Sequence, residues 1–335
     1  MFLVWTDEAV RQGVLGLMNI RSFLKLVEIQ TKVASVIPFL LGTSYALYRF
    51  GAFKPLNFLL MLASLLCFDM TTTAVNNYLD FKRANRKFGY GYESHNAIVK
   101  DKLSERSVLA VIGTLLAVAV VAGFVLFLNT DIIVLLLGVV SFMIGLLYSA
   151  GPVPISRTPF GELFSGGFMG LVIPFLSAYI HIYDRNLFDL GLSDGMLRIS
   201  VNLPELIFLL LISLPAAAGI ANIMLANNIC DIEDDLENKR YTLPIYTGKK
   251  NALIIFELLY YTGYAALAVL LVLGAAPLLC ILAFLTLIPV YKNIRLFKAL
   301  QTKKDTFVLS VKNFVVSNGV LVITVAAAAA LKIIG

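Results

Sequence analysis

Asn227-Asn228-Ile229-Cys230-Asp231-Ile232-Glu233-Asp234-Asp235-Leu236-Glu237-Asn238-Lys239-Arg240 closes one of the most hydrophobic runs of the chain. A helix that merely crosses a membrane has no need of five acidic residues and two basic ones at its end. An ion and an anionic ligand together would use them all. The run before this stretch, about 204–226, is one of nine apolar windows; the others fall near 33–50, 56–78, 108–128, 131–149, 161–182, 252–273, 275–290 and 310–331. Each approaches the ~20 residues a helix needs to cross the hydrocarbon. Helices are the expected spanning element, because lipid cannot satisfy a strand's open edge.

Composition agrees. The 335 residues are 59% hydrophobic and 14% charged, with mean hydropathy +0.86; a soluble domain carries about 25% charge. The expected fold class is all-α, a polytopic membrane protein of nine transmembrane helices. No polar stretch is long enough to bury a core of its own. Residues 1–32 read as an amphipathic N-terminal segment at the interface, with Val14, Leu17, Met18, Leu24, Leu26 and Val27 interleaved with Arg11, Arg21 and Lys25. Residues 33–335 read as one transmembrane domain. No cleavable signal pattern is seen in the first thirty residues, so the first span is expected to stay in the mature protein.

Charge fixes the expected orientation. With the N-terminus cytoplasmic, only Arg49, Lys54, Arg185, Arg198 and Lys332 fall outside, and the other 22 of the 27 Lys and Arg fall on inner segments. The net charge of +6 is therefore read as cytoplasmic lysine and arginine, with no nucleic-acid partner. Three scattered cysteines, Cys67, Cys230 and Cys280, offer no disulfide framework. Two histidines, His95 and His181, are too few for a histidine-built haem or di-iron site. The segment 183–203, with Asp184, Asp189, Asp194, Gly191 and Gly195, reads as a solvated outer loop.

The opening stretch has a partner. Asn76-Asn77-Tyr78-Leu79-Asp80 shares its form Asn-Asn-x-x-Asp, and the two lie 151 residues apart at the ends of spans two and six. Four spans intervene, so both reach the same face, as a faint internal repeat would. Asn76 and Asp80 are i and i+4; Asn227, Asp231 and Asp235 are i, i+4 and i+8. Residues four apart are helix-surface neighbours, so each helix end presents a stack of oxygen donors while Glu233 falls off the face and Asp234 stands in reserve. Oxygen donors without sulfur or imidazole suit a hard ion, and Mg²⁺ is commonly shared between carboxylates and substrate phosphates. The candidate metal ligands are Asn76, Asp80, Asn227, Asp231 and Asp235. Lys32, Lys102, Lys239 and Arg240 are candidate phosphate contacts. Asp69, within the apolar part of span two, faces either a cavity or a structural partner.

These residues resemble the UbiA-type intramembrane prenyltransferases, whose two aspartate-rich motifs lie at the cytoplasmic ends of helices two and six of a nine-helix bundle. Asp231 to Asp235 matches the second motif. The first matches at Asn76 and Asp80 and departs at Asn77, where the family usually has Asp, and at Ala84, where it often has an acid; Glu93 or Asp69 would compensate. Within the family the likeness is to the branch that prenylates 1,4-dihydroxy-2-naphthoate in menaquinone biosynthesis. It is carried by residues 227–244, by Tyr148-Ser-Ala-Gly151-Pro152-Val-Pro154 with Gly161-Glu162-Leu163, and by Thr31-Lys32 leading to Pro38-Phe-Leu-Leu-Gly42. The resemblance implies Mg²⁺ bridging a prenyl diphosphate, ionisation to an allylic cation, attack by an electron-rich ring, and loss of CO₂ in the naphthoate branch. It implies a multi-pass protein of the cell membrane with its active site toward the cytoplasm. Asp80, Asp231, Asp235 and Tyr148 are the expected catalytic residues. Tyr148 and Tyr78 either shield the cation, orient the acceptor, or serve as interfacial tyrosines. Gly145, Gly161, Gly166, Gly167 and Gly170 either leave a slot for the prenyl tail or let helices pack closely.

Other readings are a different acceptor, such as 4-hydroxybenzoate, homogentisate, haem or chlorophyllide; a cation-coupled transporter; and a membrane scaffold. A transporter would carry its charges near the bilayer middle, whereas here, Asp69 apart, they gather at one face beside basic loops. No Walker-type loop is present, and Gly89-Tyr90-Gly91 lacks the third glycine of a nucleotide motif.

Overall fold

The computed structural model describes residues 18–83, 96–151, 153–193 and 196–334. Readings made on Arg11, Val14, Leu17, Ala84, Glu93, His95, Pro152, Asp194 and Gly195 lie outside them. Among the described residues nine helices are long and apolar enough to cross a membrane: spans one (Ile29–Phe50), two (Pro55–Lys82), three (Glu105–Leu128), four (Ile132–Ser149), five (Gly161–Ile182), six (Leu203–Cys230), seven (Lys249–Val272), eight (Leu278–Ala299) and nine (Phe307–Ile334). The nine expected windows are these spans. Spans two and eight run past the apolar windows, because polar residues extend a helix once its backbone is already paired.

Spans one, five, six and nine form the inner layer. Their packing rests on small residues. A Cβ at Gly42 of span one would stand 2.0 Å from the Pro174 carbonyl oxygen, and one at Gly170 would stand 2.1 Å from Cα of Ala217 in span six. A Cβ at Gly166 would lie 2.8 Å from the Ala217 carbonyl oxygen. Spans five and six therefore touch backbone to backbone where Gly166 and Gly170 meet Ala217 and Ala221. Span five widens to a π turn over Phe168–Val172, just where Pro174 cannot donate to the Gly170 carbonyl. Gly145 does a different job: it makes room for Phe68 of span two, whose ring stacks on Phe142 at 3.9 Å. Gly167 has nothing within 4 Å. Spans three and four carry exposed Val121, Phe124, Leu128, Leu136 and Met143 outward, a surface suited to lipid.

Before span one lies a short helix, Ile20–Leu26, capped by Asn19, whose side chain accepts from Ser22 N at 2.8 Å. Leu26 and Val27 are fully buried while Ile20 is exposed. Asp101 ties this helix down, accepting from Ser22 Oγ and from Lys25 Nζ, both at 2.7 Å. Lys25 and Ser22 together hold the Asp101 carboxyl below the usual carboxylate range.

The segment after span five is not a plain loop. It folds as an antiparallel hairpin of β1 (Phe188–Ser193) and β2 (Met196–Val201), paired from Phe188 with Val201 to Ser193 with Met196. The sequence signal is an alternation of apolar residues on both sides of Asp194-Gly195, the dipeptide favoured in two-residue hairpins.

Candidate active site at the ends of spans two and six

Span six ends at Cys230 and a six-residue helix, Ile232–Glu237, follows at once. Asp231 leaves ideal helical geometry, yet Asp231 N bonds the Asn227 carbonyl at 3.1 Å and Asp235 N the Asp231 carbonyl at 2.7 Å. The i, i+4, i+8 stack therefore survives the joint. Asn227 Nδ2 lies 3.4 Å from Asp231 Oδ2. Asp231 is 8% exposed and Asp235 2% exposed, while Glu233 and Asp234 face out.

Each buried carboxylate has a cation. Lys303, in the connection between spans eight and nine, places Nζ 2.5 Å from Asp231 Oδ2. Arg240 places Nε 3.2 Å from Asp235 Oδ1, though its N–H is not aimed at the oxygen, so the contact is ionic. Thr242 Oγ1 donates to Asp235 Oδ2 at 3.1 Å. Burial pushes the Asp235 carboxyl above the usual range, and Arg240 and Thr242 only partly offset this. Lys303 carries no mark of its own in the sequence; two spans separate it from Asp231, and it looks like any inner-face cation.

The end of span two is arranged differently. Asn76 and Asp80 share an exposed face. Asn77 turns the other way and is buried: Nδ2 donates to the Leu26 carbonyl at 2.9 Å, and its own carbonyl accepts from Asn96 Nδ2 at 2.8 Å. The residue that departs from the family motif thus fastens the N-terminal segment. Tyr78 points at span three, donating to Glu105 Oε1 at 2.6 Å. Lys82 reaches the same oxygen at 2.6 Å.

Lys32 and Asp69 meet each other. Lys32 is 4% exposed, and its ammonium donates to Asp69 Oδ1 at 2.6 Å and Thr73 Oγ1 at 2.7 Å. Ser35 Oγ donates to the other Asp69 oxygen. Asp69 therefore has a structural partner, and Lys32, expected at the phosphates, is engaged with it in one ion pair between spans one and two. Lys102 is exposed in the turn before span three. Lys239 lines a cleft of about 330 Å³ with Arg157, Tyr241 and Tyr246; Tyr241 N donates to the Arg157 carbonyl at 3.1 Å, joining its two walls. Tyr148, at the end of span four, sits beside Ser165 and in electrostatic reach of Glu162 and Arg240.

Among the described residues no three carboxylate, imidazole or thiol groups converge closely enough to hold an ion alone. What converges is a pair of buried carboxylates with the Asn227 amide beside Asp231, each carboxylate neutralised by a cationic side chain. That donor set fits a hard divalent ion that takes its remaining ligands from water and phosphate oxygens.

A family model described as the UbiA prenyltransferase family matches residues 35–318. The chain belongs to that family. It is a prenyltransferase embedded in a membrane by several spans. A relative in Bacillus subtilis (strain 168), 1,4-dihydroxy-2-naphthoate octaprenyltransferase, is 32% identical over 265 residues, 78% of this chain and 77% of that one. Among solved structures, the UbiA homologue of Aeropyrum pernix K1 in its apo form aligns with TM-score 0.64 at 17% identity, covering 95% of this chain and 100% of that chain. A UbiA homologue of Archaeoglobus fulgidus solved with GPP and Mg²⁺ aligns with TM-score 0.61 at 14% identity, covering 92% and 99%. These two share the nine-helix UbiA bundle.

Proposed function

We propose that this UbiA-family chain transfers a polyprenyl group from its diphosphate to 1,4-dihydroxy-2-naphthoate, with release of diphosphate and CO₂, giving demethylmenaquinol. The observation that carries the reading is the buried Asp231–Asp235 stack with its two cations, in a chain 32% identical to a naphthoate octaprenyltransferase. Asn227, Asp231 and Asp235 would hold Mg²⁺ from one side and Asn76 and Asp80 from the other, the two ends forming a faint internal repeat. The ion supplies Lewis-acid stabilisation of charge on the leaving diphosphate.

The chain's own groups do the rest. Lys102, Lys239 and Arg240 stand at the same end of the bundle to neutralise the diphosphate, Arg240 in two-point contact where geometry permits. Lys303 and Arg240, which hold Asp231 and Asp235, are free to turn to the phosphates when a divalent ion takes their place. Buried Asp231 and Asp235 act with little solvent screening, so each charge counts for more than it would in water. Tyr148 stands at the inner end of span four, placed to face the allylic cation or the acceptor ring. By the distribution of lysine and arginine, this end faces the cytoplasm of the cell membrane and the N-terminus lies inside. Residues 18–28 lie over the same end, tied down by Asp101 and Asn77.

The test is turnover in membranes with Mg²⁺, a long-chain prenyl diphosphate and candidate aromatic acids. The expected products are labelled CO₂ from carboxyl-labelled dihydroxynaphthoate and a prenylated naphthoquinol. Turnover with 4-hydroxybenzoate and none with the naphthoate replaces the acceptor; full turnover in excess chelator removes the metal.

A further inference from the structure

Glu162, in the first turn of span five, is 5% exposed, and Asn228 of span six is fully buried. Asn228 Nδ2 donates to Glu162 Oε1 at 2.8 Å. The second carboxylate oxygen, Oε2, and the Asn228 oxygen Oδ1 are both buried and receive no hydrogen bond from the described residues. A buried acceptor left without a donor is costly, and here two stand together. Their position is not loose. The backbone contacts of Gly166 and Gly170 with Ala217 and Ala221 fix span five on span six one to two turns away.

The surroundings say what would complete the pair. Asp235 lies close enough to Glu162 to repel its charge, and Tyr148 lies close enough to feel both Glu162 and Arg240. The place therefore adjoins the acidic stack: Asn228 is the second Asn of the span-six signature, and Glu162 lies outside both signatures. Both open atoms are acceptors, so the complementary group is a donor. A second metal ion is the weaker fit, because Asn228 already points an N–H at the carboxylate. A hydroxyl on an aromatic ring fits: it donates one hydrogen bond, its ring lies against Tyr148, and an acidic substituent on it meets Arg240. A cleft of about 330 Å³ is lined by residues of the two segments that lead into Glu162 and follow Asp235, 153–159 and 239–246. Its Arg157, Lys239, Tyr241 and Tyr246 are suited to an anionic aromatic ring, and its volume suits a small molecule.

We propose that Glu162, held by Asn228, binds a ring hydroxyl of the aromatic acceptor and so selects hydroxylated aromatic acids. The proposal rests on the prenyl-acceptor reading above, and its test separates the two. Binding is followed in purified full-length protein without metal, using the fluorescence of 1-hydroxy-2-naphthoate and of 2-naphthoate, which lacks the hydroxyl. Glu162→Gln preserves volume and the Asn228 contact. It is expected to weaken the hydroxylated ligand about tenfold, as loss of a charge-assisted hydrogen bond does, and to leave 2-naphthoate and Mn²⁺ binding unchanged. Glu162→Ala is expected to lose more, with the same selectivity, and its melting curve reports whether it folds. Equal weakening of both naphthoates, or of neither, overturns the assignment, and so does a loss of Mn²⁺ affinity with the hydroxyl preference intact. If wild-type protein binds no naphthoate, the acceptor identity fails, and 4-hydroxybenzoate against benzoate decides Glu162 by the same criterion. A wild-type chain that prefers neither hydroxylated acid also overturns it.

Discussion

At the end of span six, Asp231 and Asp235 are almost wholly buried and each meets a cation. At the end of span two, Asn76 and Asp80 stand on an exposed face, and the buried member of the motif, Asn77, is spent on holding the N-terminal segment. Two signatures of one form, Asn-Asn-x-x-Asp, thus serve two kinds of end. One is a set of charges kept ready in low dielectric, the other an open shelf beside a structural anchor. The difference teaches that a motif's spacing fixes which side chains share a face, while its burial depends on what the rest of the chain lays over it. Span six is flanked by spans five, seven and nine, whereas the end of span two is covered on one side by residues 20–32.

The largest expected effect falls on the buried end. Asp231→Asn should lower turnover by at least about 10³-fold while the protein still inserts and melts normally. Asp80→Asn should lose less, since an exposed carboxylate is replaced more easily by water. Equal losses would break the contrast. Second, Lys32→Met strands Asp69 in its buried pair and should cost about 3–5 kcal/mol, read as a lower unfolding midpoint in detergent. Lys32→Met combined with Asp69→Leu should recover much of it, and failure to recover would mean that Lys32 acts beyond this pair. Third, Asn77→Asp restores the family's usual acid but sets it against the Leu26 carbonyl and Glu28. It should destabilise by about 1–3 kcal/mol without raising metal affinity. A tighter metal site with unchanged stability would show that the two ends are alike after all. Smallest, Lys303→Met frees Asp231 from a side chain that is 54% exposed. Mn²⁺ should then bind only slightly tighter, within the ~0–1 kcal/mol of a surface pair, as measured by titration in the spin-resonance signal of the ion.

Much of this was legible in the sequence. The nine spans followed from apolar length, and the stack at 227–235 from helical spacing, because both depend on neighbours along the chain. The hairpin at 188–201 carries its signal in the alternation around Asp194-Gly195, but three aspartates and two glycines over 183–203 read equally as solvent-exposed loop. The pairings of Lys32 with Asp69, of Lys303 with Asp231 and of Asn77 with Leu26 were not legible. Each joins residues brought together by helix packing, and a lysine on an inner loop carries no local mark of the carboxylate it will meet. Glu162 entered only as part of a run resembling the naphthoate branch. Its burial and its contact with Asn228 depend on glycines 4 and 8 residues further along span five, whose close approach to span six no periodicity predicts.

The π turn at Phe168–Val172 sits between two parts of span five that do separate work. Toward the motif end, Glu162 meets Asn228; toward the other, Tyr179 bonds Asp131 and His181 accepts from the Lys54 amide at 3.0 Å. Each residue of a helix turns about 100°, so the extra residue sets the phase between the two halves. A one-residue deletion there would leave the hydrophobic length almost untouched and yet turn Glu162 about a quarter of a circle from its partner. For anyone transplanting this segment into another scaffold, phase rather than length is the property to preserve.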